Sequence, residues 1–321
     1  MAALRVFAPA SMGNISVGFD VLGGALAPID GSLLGDCVSI EQIEQGIEVS
    51  TIGTFANKLP SDPKQNIVYD CAVAYQAQLK ANNIEFKGLK IVLEKLLPVG
   101  SGLGSSAASV VAAFYALNEF YHQALSKHQL LLLMGQLEGQ ISGSVHYDNV
   151  APSYLGGLQL MIDQPGQQCS EIPSFDAWYW VVAYSGMSVS TAESRRIMPT
   201  EVPLATALKF GQNLATFIDA SHKGNQALAA QVLVDVIAEP VRGAIIPGFN
   251  DAKQAMLELG ALASGISGSG PTLFAVTADL AKAQQLENYL KQHYLQTDEG
   301  FSHICKIDTQ GARREALRGT V

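Results

Sequence analysis

The segment PVGSGLGSSAAS, residues 98–109, brings three glycines and four serines to the start of an apolar stretch able to form a helix. Gly100, Gly102 and Gly104 allow close backbone approach to a ligand and unusual dihedrals. Ser105, Ser106 and Ala107 are expected in the first helical turn, where free N–H groups and the helix dipole favour an anion. The serine hydroxyls add donors and a metal ligand. The same composition suits a tight strand-to-helix turn, and the loop alone does not separate the two readings. Two common phosphate loops are excluded. The Rossmann pattern needs glycine at its sixth position, where Ser105 stands. The Walker pattern needs a lysine, and none occurs between Lys95 and Lys127. Positive charge at a phosphate would then come from elsewhere. One hydroxyl and one carboxylate make an adequate Mg²⁺ site, because the ion keeps waters and takes phosphate oxygens. Ser106 and Glu138 are the candidates. Glu138, near the end of the apolar helix QLLLLMGQLEG, also reads as a solvated helix-end charge.

These residues need a scaffold, and the chain is long enough to build one. It has 321 residues, 48% hydrophobic and 15% charged, enough for one large or two ordinary domains with a sizeable core. The net charge of −9 argues against a nucleic-acid partner. The start, MAALRVFAPAS, lacks the features of a signal peptide, and the longest apolar run, residues 107–117, is too short to span a bilayer. A cytoplasmic protein without a membrane partner is expected. Cys37, Cys71, Cys169 and Cys305 are scattered, with no Cys-x-x-Cys pair and no His-Glu-x-x-His, so free thiols are expected and a zinc site is not.

Strands are predicted at 4–10, 36–43, 88–95, 157–163 and 178–185, with alternation of apolar and polar residues at 36–43 and 88–95. Asn66 can cap a helix to about Lys80, and Ser126 with Gln129 forms a capping box for a helix to about Gln140. Residues 164–174 read as a turn-rich connection and the place for a domain boundary. Helices are predicted at 191–197, 203–222, 226–238, 249–262 and 279–293. A second glycine-serine loop, SGISGSGP (264–271), leads into the strand TLFAVT, and FSHICKI forms a last strand. Strands do not alternate strictly with helices, so the fold class is α+β.

Three segments taken together carry a family resemblance. PVGSGLGSSAA (98–108) resembles the phosphate-binding motif of the small-molecule kinases that act on galactose, homoserine, mevalonate and phosphomevalonate. APASMGNISVGFDVLG (8–23) and GISGSGPTLFA (265–275) resemble that family's N-terminal and C-terminal motifs, in the same order and spacing. The similarity extends from about residue 4 to 314. Within the family, ISGSVHYDNVAP, STAESR and EPVR resemble the branch that acts on homoserine. Gly13 stands where members often carry alanine, a departure expected to leave the chemistry alone. The resemblance implies two domains, an N-terminal ATP-binding one (1–165) with a left-handed β-α-β unit and a C-terminal ferredoxin-like α+β sandwich (166–321). The active site is expected between them.

The resemblance also implies an enzyme that transfers phosphate from ATP to the hydroxyl of L-homoserine, a step toward threonine. ATP phosphates are expected over Pro98, Val99, Gly100, Ser101, Gly102, Leu103, Gly104, Ser105, Ser106, Ala107 and Ala108, with Gly268 from the second loop and Asn66 near the adenine. Mg²⁺ is expected on Ser106 and Glu138. Asp20 matches the position that holds the ammonium, and Arg195 and Arg242 those that clamp the carboxylate, a task suited to the planar guanidinium. Asn14, His146 and Asn149 match polar positions of the same pocket. Individually, Asp20 also reads as a turn cap, Arg195 as a helix-surface charge and His146 as a core histidine. Arg196 beside Arg195 reads as a surface residue, though the sequence alone does not settle which arginine faces the substrate. Some relatives use an aspartate as the base. With Asp20 committed to the ammonium, no dedicated base is expected, and the proton is expected to leave to phosphate or water. L-Threonine, sharing the ammonium and carboxylate, is expected to compete. A homodimer is a further expectation.

Overall fold

The protein is described by a computed structural model over residues 4–142 and 145–315. Gly143 and Ser144, inside the segment ISGSVHYDNVAP, lie outside the described residues.

The first half opens with β1 (Leu4–Pro9), β2 (Ser11–Gly13), β3 (Leu22–Pro28), β4 (Gly35–Ile43) and β5 (Ile47–Ile52). Next come α1 (Ile67–Ala81), β6 (Gly88–Glu94), α2 (Ser105–Phe120), α3 (Lys127–Ser142), α4 (Val150–Leu155), β7 (Leu158–Gln164) and β8 (Gln167–Ile172). The second half contains β9 (Tyr179–Tyr184), α5 (Thr191–Arg196), α6 (Leu204–His222), α7 (Gln226–Val232), α8 (Glu239–Arg242) and α9 (Phe249–Glu258). It closes with β10 (Ala263–Ile266), β11 (Leu273–Thr277), α10 (Leu280–His293), β12 (Phe301–Ile307) and β13 (Arg313–Arg314).

A five-stranded sheet runs β13-β1-β4-β6-β5. Its outer pair, β5 and β6, is parallel and joined through α1, which makes the β-α-β unit of this half. Helix α2 lies against this sheet with Val110, Val111, Ala113, Phe114 and Leu117 buried. Small residues on α2 allow close contact with β1, β4 and α1, and they place the loop before α2 at the sheet's end.

The second sheet runs β10-β11-β9-β12-β3-β7-β8, with β2 attached to β3. Its first four strands have the order of a β-α-β-β-α-β ferredoxin-like unit, antiparallel throughout. The sheet does not stop at the end of that unit. β12 pairs with β3, so a strand from the first thirty residues continues the sheet of the second half. The molecule is α+β, with two lobes sharing one sheet.

Several elements differ from the pattern-based expectation. Residues 164–174 contain β8, a polar strand at the sheet's edge, paired with β7 through a register irregularity between Met161 and Gln164. An edge strand carries no apolar alternation strong enough to mark it. β3 was hidden by its glycines. Gly23 is required there, because a Cβ would lie 1.7 Å from the Asp148 carbonyl oxygen. The helix predicted for 226–238 ends at Val232. Asp235 then accepts from the backbone N–H of Ile237, Ala238 and Glu239, which starts a new turn leading into α8. The two predicted caps are present. Asn66 Oδ1 accepts from Val68 N at 3.0 Å, and Ser126 and Gln129 bond reciprocally. The four cysteines are free thiols, three buried and Cys169 partly exposed. Among the described residues no helix is long and apolar enough to cross a membrane.

Candidate active site

The glycine loop is held by its carbonyl oxygens. Gly100 O accepts from Val189 N, Ser101 O from Thr272 N and Oγ1, Gly102 O from Ser267 Oγ, and Leu103 O from Ser11 N. Gly100, Gly102 and Gly104 all have positive φ, at 68°, 79° and 63°. At Gly102 a Cβ would sit 2.3 Å from Ser267 O, so the close approach of the two glycine loops requires glycine. The N–H groups of Gly104, Ser105, Ser106 and Ala107, the start of α2, donate to no protein acceptor among the described residues. Four free donors at a helix N-terminus form an anion-binding surface.

That surface opens on a cleft of about 820 Å³ between the lobes. Val99, Gly100, Ser101, Gly102, Gly104, Ser105 and Ser106 line it, as do Asn66 and Gly268. Pro98, Leu103, Ala107 and Ala108 are buried and turn their side chains into the protein, Leu103 and Ala108 toward one core and Ala107 toward another. They support the loop from behind instead of facing the cleft.

Ser106 Oγ donates to Glu138 Oε1 at 2.6 Å. Burial raises the Glu138 pKa to about 7, opposed by the Ser106 hydrogen bond and reinforced by the charge of Asp148. Among the described residues no cluster of three or more His, Cys, Asp or Glu could cage a metal. One hydroxyl and one carboxylate beside a phosphate surface fit Mg²⁺, which takes its other ligands from water and phosphate. A carboxyl made reluctant to ionise by burial has its charge restored by such a cation.

The lysine absent from the loop lies beneath it. Lys95 is 1% exposed, and its Nζ donates to Asp36 Oδ2 at 2.5 Å, to Ser105 O at 2.8 Å and to Ser109 Oγ at 3.0 Å. Asp36 Oδ1 also accepts from Leu96 N and Leu97 N. The pair fixes the first turn of α2 against β4 and β6. Asn66 is 3% exposed, and besides its cap it donates from Nδ2 to Thr51 Oγ1 at 3.0 Å.

At the other end of the cleft, Asn14, Asp20, His146, Asn149, Arg195 and Arg242 converge. Asn14 has φ 70°, accepts from Asp20 N through Oδ1 and donates to Gly268 O at 3.1 Å. Arg242 also donates to Gly268 O, at 2.9 Å. One carbonyl of the second glycine loop thus anchors both the N-terminal motif and α8. Arg242 is 4% exposed and its Nε has no partner among the described residues. Burial, then the charge of Arg195, lowers its pKa. Asp20 and Arg195, expected to hold opposite ends of a ligand, hold each other. Nη1 and Nη2 donate to Oδ2 and Oδ1 at 2.7 and 3.0 Å. Arg196 points to solvent, which answers which of the two arginines faces the cleft. His146 Nδ1 lies 4.0 Å from Asp20 Oδ2, and burial lowers the pKa of its ring. Asn149 Oδ1 accepts from Ser11 Oγ at 3.1 Å.

Asp148 was missed in the sequence, although it stands between His146 and Asn149. It is 6% exposed and lines the cleft. Burial, followed by the charge of Asp20, raises its pKa to about 7, while Arg195 and Arg242 oppose the rise. Its charge acts on Glu138, and the charge of Asp20 acts on it in turn. Gly13 is not silent here. A methyl would lie 2.4 Å from Asp148 Oδ2 and 2.7 Å from Asn149 Nδ2.

Comparison with known proteins agrees with this geometry. Residues 66–157 match the GHMP kinases N terminal domain and residues 217–296 the GHMP kinases C terminal domain. The homoserine kinase of Cytophaga hutchinsonii is 32% identical, with a TM-score of 0.88 over 98% of each chain. A putative homoserine kinase from Listeria monocytogenes shares the fold at 20% identity, with a TM-score of 0.73 over 98% of this chain and 99% of that one. So does the mevalonate kinase of L. major in complex with R-mevalonate, at 19% identity, TM-score 0.67 and 95% of each chain. The two family matches fall on either side of one cleft, and a relative above 30% identity aligns end to end: the chain belongs to the GHMP kinase family.

Proposed function

We propose that the chain transfers the γ-phosphate of ATP to the hydroxyl of L-homoserine, giving O-phospho-L-homoserine. The observation that carries this reading is the set of charges facing the phosphate surface. Asp20 offers an anion, and Arg195 and Arg242 offer two cations within reach of one small molecule. Mevalonate has no ammonium for Asp20. The 32% identical relative is itself a homoserine kinase.

Phosphoryl transfer has a loose transition state, so positioning and charge stabilisation carry the catalysis. The N–H groups at the start of α2 receive the phosphate oxygens, and Asn66 lies on the wall assigned to the adenine. Ser106 and Glu138 would hold Mg²⁺, which when bound neutralises charge on the phosphate oxygens. Asp20 takes the substrate ammonium and the two arginines take its carboxylate. The hydroxyl is thereby directed toward the region of Asp148. A carboxyl with a pKa of about 7 is matched to accepting a proton at neutral pH. On this reading Asp148 accepts the hydroxyl proton, in place of the phosphate or water expected from the sequence.

A coupled assay for ADP release with ATP, Mg²⁺ and a panel of L-homoserine, mevalonate and galactose tests the reading. Turnover is expected with homoserine. Preference for mevalonate or galactose would overturn it.

A further inference from the structure

Asp20 and Arg195 form a two-point contact with each other. Their side chains are 27% and 33% exposed and face the cleft, so the pair can open without unfolding its surroundings. Arg242 differs. It is buried and anchored on Gly268 O. The two guanidinium carbons lie 5.7 and 5.3 Å from the Phe19 ring centroid, with Arg195 as the movable member and Arg242 as the fixed one. The His146 ring, its pKa lowered by burial, supplies no competing cation at neutral pH.

We propose that the Asp20–Arg195 pair is a resident stand-in for the substrate, exchanged only by a ligand that brings both charges. This rests on reading the cleft as a kinase site for an amino-acid alcohol. An incoming ammonium takes Asp20 and releases Arg195. The released guanidinium, beside Arg242, then takes the incoming carboxylate. A zwitterion turns one ion pair into two. An alcohol with a carboxylate alone can engage both arginines only by pulling Arg195 away and leaving Asp20 unpaired. An alcohol with an ammonium alone leaves Arg195 unpaired. Stranding one partner of a part-buried pair is costly, so the pair rejects singly charged ligands as well as welcoming doubly charged ones.

The test uses three alcohols with ATP and Mg²⁺: L-homoserine, 4-hydroxybutyrate, which lacks the ammonium, and 3-aminopropan-1-ol, which lacks the carboxylate. Each is measured with the unaltered chain, Asp20→Asn and Arg195→Gln. Asp20→Asn frees Arg195, so kcat/KM for 4-hydroxybutyrate is expected to rise about tenfold or more while that for homoserine falls. Arg195→Gln should raise kcat/KM for 3-aminopropan-1-ol in the mirror sense. ATP affinity measured by calorimetry reports an intact fold, and Asp20→Ser or Arg195→Met replaces a variant that loses it. Absence of a gain in either arm overturns the exchange, while homoserine turnover by the unaltered chain would still uphold the functional reading. Failure of the unaltered chain to phosphorylate homoserine overturns both.

Discussion

Ser106 Oγ and Glu138 Oε1, 2.6 Å apart, join the start of α2 to α3. The contact ties the phosphate surface to the carboxylate that would hold Mg²⁺. Glu138→Gln keeps the size and removes the charge. Turnover is expected to fall by about 100-fold or more, with the Mg²⁺ concentration for half-maximal rate shifted upward. Steady-state rates across a Mg²⁺ titration read both, and an unchanged titration would remove Glu138 from the metal site.

Asp148 should leave two signatures. Asp148→Asn is expected to lower kcat by about 10²- to 10⁴-fold and to abolish a rising limb of the pH–rate profile near pH 7. The same carboxyl weakens the fold. Its native pKa of about 7 exceeds the ordinary value of 3.8, so the native state binds this proton more tightly than the unfolded chain. That contribution is fully present below pH 3.8 and is lost as pH rises to about 7. Asp148→Asn should therefore melt higher than the unaltered chain at pH 8 in the presence of a chelator, and the gain should vanish near pH 4. Thermal melts across pH read the difference.

Lys95 and Asp36 are both buried, so removing one strands the other. Lys95→Met is expected to cost about 3–5 kcal/mol of stability. Adding Asp36→Leu should recover part of that loss. Urea midpoints of the single and double variants measure it, and an additive double loss would mean that the two charges act independently.

Asn66 caps α1 and stands on the cleft wall. Asn66→Ala is expected to cost about 1 kcal/mol through the lost cap and to raise KM for ATP. KM for homoserine should not move. A rise in both would place Asn66 in general packing and not in the nucleotide site.

Threonine carries the same ammonium and carboxylate as homoserine. It is expected to inhibit competitively against homoserine, and Asp20→Asn should weaken that inhibition along with homoserine binding. Inhibition that excess homoserine cannot relieve would point to a separate site.

The legible parts of the sequence were those where one residue type has one physical use. Gly100, Gly102 and Gly104 announced positive φ, and Asn66 and Ser126 announced helix starts. Lys95 was legible but unread. It shares the inward parity of Leu89, Ile91 and Leu93 on β6, and Asp36 shares that of Val38 and Ile40 on β4. The alternation that predicted those strands already placed two opposite charges on buried faces. Asp148 gave no comparable signal, because its pKa is set by burial in the folded cleft and then by Asp20, Arg195 and Arg242, which are distant in the chain. β8 and β3 were hidden by polar edge composition and by glycines required for contacts outside their own strands.

The pairing of β12 with β3 bears on how the chain can be divided. A fragment that begins near residue 166 would carry β12 with one edge bare, and bare edges recruit other chains. A fragment that stops there would leave β3 paired with β7 but bare where β12 covers it. Separate expression of the halves is therefore expected to give aggregates, and co-expression should rescue both. The order of synthesis matters for the same reason: β3 leaves the ribosome first and waits for β12, at nearly the end of the chain, before its sheet is complete.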